Sequence, residues 1–78
     1  MKNVCPICGF DKLKEAPFSK EGAPSYEICA CCGFEFGFDE IECRDVYLKK
    51  WIEHGSKWFV PELKPRDWNL EEQLKNIP

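Results

Sequence analysis

The chain has 78 residues, a formal net charge of −3 and six cysteines. One small domain of this size buries little apolar surface and often relies on metal, disulfides or a partner to stay folded. The acidic balance disfavours nucleic acid as the main partner, because phosphate binding draws on clustered Lys and Arg; no apolar run approaches the roughly 18 residues that span a bilayer.

The N-terminal stretch M-K-N-V-C-P lacks the apolar core and small-residue cleavage site of a signal peptide. The expected setting is therefore the cytoplasm, where thiols stay reduced and cysteines bind metal more readily than they form a disulfide framework. Residues 1–38 hold five of the six cysteines, and residues 39–78 hold all three tryptophans. With no linker between these halves, residues 1–78 are expected to form a single domain.

The first half contains a short internal repeat, C-P-I-C-G-F at Cys5 and C-A-C-C-G-F at Cys29. Aligning the two C-G-F triplets pairs Cys5 with Cys29, Cys8 with Cys32 and Gly9 with Gly33. In a C-x-x-C turn both sulfurs face one metal and backbone N–H groups point at the first sulfur, while a following glycine accepts the positive φ that closes the turn. Cys5, Cys8, Cys29 and Cys32 are the expected ligands, separated by a 20-residue arm. Cys31 falls opposite Ile7 and is read as a small apolar side chain. The arm carries turn chemistry at Gly22-Ala23-Pro24-Ser25, then short strands are expected at 26–28 and 34–36, the second alternating apolar and polar.

In the second half, Asp39 with Glu42 resembles a capping box and opens a predicted helix over 40–54. Ile41, Leu48, Trp51 and Ile52 form one apolar face, with Cys43, Val46 and Tyr47 roughly opposite, so the helix is expected to be sandwiched between two layers. Gly55 marks its end, and Val60-Pro61 to Lys64-Pro65 reads as extended. Asn69 with Glu72 opens a short helix through Leu74 that frays before Pro78.

Four thiolates close a tetrahedral zinc site and leave no position for water or substrate, so its contribution is to folding. That contribution is on the order of 10–16 kcal/mol in small zinc peptides, against about 3–5 kcal/mol from a core this small. Zinc is the expected cofactor. Iron is the alternative, because C-G-F-E-F-G resembles the C-G-Y-x-Y stretch of rubredoxins, which use four thiolates for electron transfer. Against it, rubredoxins are shorter, space their knuckles more widely and lack a Trp-bearing helix after them.

No catalytic constellation emerges. Cys43 and His54 lie eleven residues apart on one predicted helix, about 16 Å along its axis, and cannot share a metal or a proton. His54 instead suits a helix C-terminus, and the acids Asp39, Glu40, Glu42 and Asp45 suit a helix N-terminus. Trp51, Trp58, Phe59 and Trp68 are core material and also candidates for a surface that binds an unidentified protein partner. Phe10, Phe18 and Phe34 with Lys12, Lys14 and Lys20 form the weaker candidate for single-stranded nucleic acid.

The segments C-P-I-C-G-F and P-S-Y-E-I-C-A-C-C-G-F-E-F-G, followed by an acidic helix start, resemble the small bacterial cysteine-rich CPCC proteins over residues 4–40. Ile7 and Ala30 depart from that family's pattern, and the extra thiol here is Cys31. The resemblance implies a zinc-ribbon-like domain with Cys5, Cys8, Cys29 and Cys32 as ligands. The expected fold is a small metal-bound α+β domain: a zinc-ribbon or rubredoxin-like double cysteine knuckle with short antiparallel strands, then one longer helix and a short C-terminal helix. The expected role is a non-enzymatic binding or adaptor module.

Overall fold

A computed structural model describes residues 3–77. Its first organising feature is the sequence repeat, which is also a repeat in backbone geometry. In the first turn the Gly9 N–H donates to the Cys5 carbonyl at 2.9 Å, and the Cys5 N–H donates to the Phe10 carbonyl at 2.7 Å. The second turn reproduces both bonds, from Gly33 to Cys29 at 2.9 Å and from Cys29 to Phe34 at 2.9 Å. Gly9 and Gly33 close the turns at φ of +85° and +79°, a region that side chains with a Cβ rarely enter.

The expected strands do not form. Among the described residues the only pairings are isolated bridges, Phe18 with Pro24, Ile28 with Glu35 and Phe36 with Asp39. The backbone shows why. Tyr26 adopts φ +61° and Gly37 φ +107°, so the segments flanking the second turn leave the extended conformation before a ladder can grow. The arm is tied to this hairpin by a side chain instead of a sheet: the Glu27 carboxylate accepts from the N–H groups of Lys14 at 2.9 Å and Glu15 at 3.1 Å.

A 3-10 turn, Ile41–Cys43, leads into helix α1, Arg44–Glu53. Asp39 does not cap it, contrary to the capping-box expectation. Its carboxylate accepts the Glu35 N–H at 2.9 Å while its own N–H donates to the Glu35 carbonyl at 3.0 Å. Its capping oxygen is thus spent on the preceding loop, and Glu40, at the cap position, makes no side-chain cap bond. The C-terminus follows expectation: Ser56 donates to the Trp51 carbonyl at 2.9 Å and Gly55 to that of Ile52 at 3.0 Å. With Gly55 at φ +97° this is a Schellman ending.

α1 is not sandwiched. Tyr47, Leu48 and Trp51 turn to the core together with Ile41, whereas Val46, Ile52 and Cys43 are exposed. The C-terminal segment accounts for this, since it packs on the same face of α1 as the cysteine turns and brings Trp68 to a ring-centroid distance of 6.4 Å from Trp51. Between these contacts the chain runs back over the second turn, where Phe59 and Val60 donate N–H groups to the Cys31 and Ala30 carbonyls at 3.0 and 2.8 Å. A second 3-10 turn, Pro61–Leu63, precedes helix α2, Leu70–Leu74. Here the expected cap is present: the Asn69 side chain accepts the Glu72 N–H at 3.0 Å. The helix ends at Leu74 as expected, and beyond it the chain continues in turns, with the Asn76 and Ile77 N–H groups donating to the Gln73 and Leu74 carbonyls at 3.0 and 3.1 Å.

One core joins both halves of the chain. Phe34 and Phe36 are fully buried with Cys5, Cys8, Cys29 and Cys31, and Trp51 and Trp58 close the other side. Rings meet edge to face along it, Phe10 on Trp58 and Trp58 on Trp68, each at 5.6 Å. Among the described residues no helix is long and apolar enough to cross a membrane.

Candidate metal centre

Each turn delivers two sulfurs to the same point. The Sγ atoms of Cys5, Cys8, Cys29 and Cys32 all lie within 4.8 Å of one another. Two of the contacts run between turns, Cys5 to Cys32 at 3.8 Å and Cys8 to Cys29 at 3.7 Å. A tetrahedral thiolate site with metal–sulfur bonds of about 2.3 Å has sulfur–sulfur edges of about 3.8 Å. A disulfide would need about 2.05 Å, and all six cysteines are free. The donor set, its spacing and its burial fit one metal ion.

The surroundings favour negative charge on one ligand sulfur above the others. The Ile7 N–H points at Cys5 Sγ at 3.4 Å, as a first ligand in such a turn requires. Hydrogen bonds from Cys32, then from Cys5 and Cys8, hold the Cys29 thiol far below the ordinary thiol range. Cys8 and Cys32 are pushed far above it, first because each hydrogen-bonds Cys29, with burial adding to the effect. One thiolate is stabilised by its neighbours, and further ionisation crowds anions together unless a cation joins them. Tyr47 beside the cluster is pushed up to about 12, chiefly by burial. Its hydroxyl stays protonated and donates to the Cys32 carbonyl at 2.9 Å.

Cys31 is fully buried, as is its counterpart Ile7. It stands outside the four-sulfur group but beside it, and the Gln73 side-chain N–H donates to its sulfur at 3.3 Å. Hydrogen bonding to Cys8 lowers its thiol from the ordinary range, against the effect of burial. Cys43 is exposed and contacts Glu40 at 3.7 Å, while His54 Nδ1 meets the Lys50 carbonyl at 2.7 Å at the other end of α1. The structure does not bring these two side chains together.

The aromatic candidates divide. Trp51 and Trp58 are core residues, and their burial withdraws them from the candidate partner surface; Trp68 is half-buried and Phe59 is 58% exposed. Trp51 donates to the Lys57 carbonyl at 2.8 Å. Trp58 Nε1 is buried without a hydrogen-bond partner and lies among the rings of Phe10 and Trp68. Phe10 and Phe34 are buried and Phe18 is half-buried, so those rings have little face to offer a base.

Three residues at the site carry no local sequence signal. Tyr47 braces the second turn, while Gln73 and Asn76 reach the Cys8 and Gly9 carbonyls of the first, each at 3.0 Å.

No protein-family model and no solved structure matches this chain. Two Bacillus subtilis proteins do, both named as uncharacterized. YoaQ is 35% identical over an alignment of 89 positions that covers 92% of this chain and 70% of YoaQ. YozI is 32% identical over 91 positions, covering 94% of this chain and 70% of YozI. With this identity along nearly its whole length, the chain belongs to the family that includes YoaQ and YozI.

Proposed function

We propose that this protein is a small zinc protein whose four-cysteine site is structural, and that it acts as a binding or adaptor module for another protein. The observation that carries this reading is the closed donor set: four sulfurs within 4.8 Å of one another, none more than 6% exposed. Such a site has no open position for a substrate and contributes its binding free energy to folding. The resemblance to the CPCC proteins supports the same assignment. A cytoplasmic setting fits six free cysteines.

The partner surface on this reading centres on Phe59 and Leu63, each 58% exposed, with half-buried Trp68 in the same C-terminal half. Exposed large apolar side chains in so small a domain suit an interface. Enzymatic function has no comparable support, because Cys43 and His54 stand at opposite ends of a ten-residue helix.

The test is metal analysis and the visible spectrum of protein purified without metal supplementation or a metal-affinity tag. The expected result is one colourless zinc per chain and unfolding on chelation. A red, reversibly reducible centre would replace zinc with iron and the adaptor reading with electron transfer. For the surface, Phe59→Ser is expected to keep metal and melting temperature while losing partner capture; retained capture would move the interface elsewhere.

A further inference from the structure

Helix α2 has five residues, far short of the roughly 12–15 that hold an isolated helix together in water, so it persists only while docked. Its docking contacts converge on the two cysteine turns. Gln73 Nε2 donates to the Cys8 carbonyl of the first turn at 3.0 Å and to Cys31 Sγ of the second at 3.3 Å. Asn76 Nδ2 donates to the Gly9 carbonyl at 3.0 Å. Trp68 Nε1 donates to Gln73 Oε1 at 2.8 Å, which fixes the amide with its N–H₂ end toward the cysteines. The missing side chain of Gly9 makes room for the Gln73 backbone carbonyl, which a Cβ there would strike.

One amide thus spans both turns, and it fits only while they keep their relative position. That position is what a metal held by two cysteines from each turn would fix. We propose that α2 is a metal-gated latch: occupancy of the four-cysteine site and docking of the C-terminal helix stabilise each other through Gln73. Release of the latch uncovers Cys31, Trp58 and Trp68, so the state of the metal is transmitted to the C-terminal surface. The proposal rests on the metal-binding reading of the cluster. The coupling is reciprocal by linkage: metal binding favours docking by the same factor as docking favours metal binding, so in a latch that closes only on the loaded site, loosening α2 weakens metal binding equally.

The test uses full-length, zinc-loaded protein, as wild type and as Gln73→Ala. Four readouts are taken: zinc per chain, hydrogen exchange at the Gln73, Asn76 and Ile77 amides, zinc affinity by competition with a chromophoric chelator, and alkylation of Cys31 by mass spectrometry. Wild type is expected to hold one zinc, with these amides protected and Cys31 unreactive. Gln73→Ala is expected to keep its zinc and the protection of α1. Its α2 amides exchange about tenfold or more faster and its zinc affinity falls about tenfold or more, because three side-chain hydrogen bonds are lost, to Cys8, Cys31 and Trp68, and Cys31 becomes alkylated. Faster exchange with unchanged affinity, or weaker affinity with α2 still protected, would overturn the latch while leaving the metal site intact. Wild type that stays folded with less than one metal per chain would overturn the metal reading and the latch with it. If Gln73→Ala does not fold, Asn76→Ala removes only the Gly9 contact; equal changes of about threefold in exchange and affinity are then expected, and unequal ones refute the coupling.

Discussion

Gly9 and Gly33 occupy equivalent places in the two turns, but substitution meets different neighbours. A Cβ at Gly33 would lie 3.2 Å from Cδ1 of Phe59, a largely exposed ring free to swing aside. A Cβ at Gly9 would strike the backbone carbonyl of Gln73, which cannot move without α2. Both alanines carry the cost of a left-handed conformation, about 1–2 kcal/mol. Gly33→Ala is therefore expected to lose about that much in denaturant titration, and Gly9→Ala clearly more, with loss of α2 protection; equal losses would mean that α2 yields freely. Cysteines divide in the same way. Cys8→Ser removes a ligand and is expected to abolish stoichiometric metal. Cys31→Ala removes a buried atom outside the four-sulfur group and is expected to keep one metal per chain, at a stability cost of about 1–2 kcal/mol. Metal analysis of the two variants separates the roles, and loss of metal from Cys31→Ala would bring Cys31 into the donor set.

At the scale of the elements, the ends of the two helices illustrate what local sequence can dictate. Asn69→Ala removes the bond to the Glu72 N–H and is expected to cost about 1 kcal/mol, with the loss confined to α2 in hydrogen exchange; equal loss in α1 would show that the two helices open together. Asn69 and Gly55 were legible because a cap and a left-handed ending depend on residues within one turn of the chain. Asp39 carries the same kind of signal, but its carboxylate is captured by Glu35 from the preceding loop. The strands failed for a related reason: the apolar alternation at Phe34 and Phe36 is real and places both in the core, but the turns at Tyr26 and Gly37 cut the ladder short. The four sulfurs that converge are those picked out by the repeat, because two copies of one motif fix a register independently of tertiary structure. Gln73 was out of reach by the same logic, since its partner Cys8 is 65 residues away and nothing near Gln73 encodes the contact.

For the molecule as a whole, the metal and the protons compete for the same sulfurs, and the direction of that competition follows from the cluster. Cys8 and Cys32 are raised above the ordinary thiol range, chiefly by their hydrogen bonds to Cys29, so both hold protons at neutral pH until a metal takes their sulfurs. Cys29 is depressed and already ionised there. A metal that takes all four sulfurs must displace the protons on Cys8 and Cys32, so binding releases at least about two protons and affinity rises with pH. Protons bound only in the metal-free state favour that state as their concentration grows. Affinity is expected to fall by about two log units or more for each pH unit of acidification near neutrality, and the metal-dependent part of the stability is lost with it. Calorimetric titration with zinc in buffers of different ionisation enthalpy counts the protons directly. A count near zero would mean that the sulfurs are already ionised without metal, with some other positive group balancing their charge. A count of two or more, with the melting temperature of the loaded protein falling on acidification, would identify the cluster as the element that makes folding of both halves depend on metal and pH together.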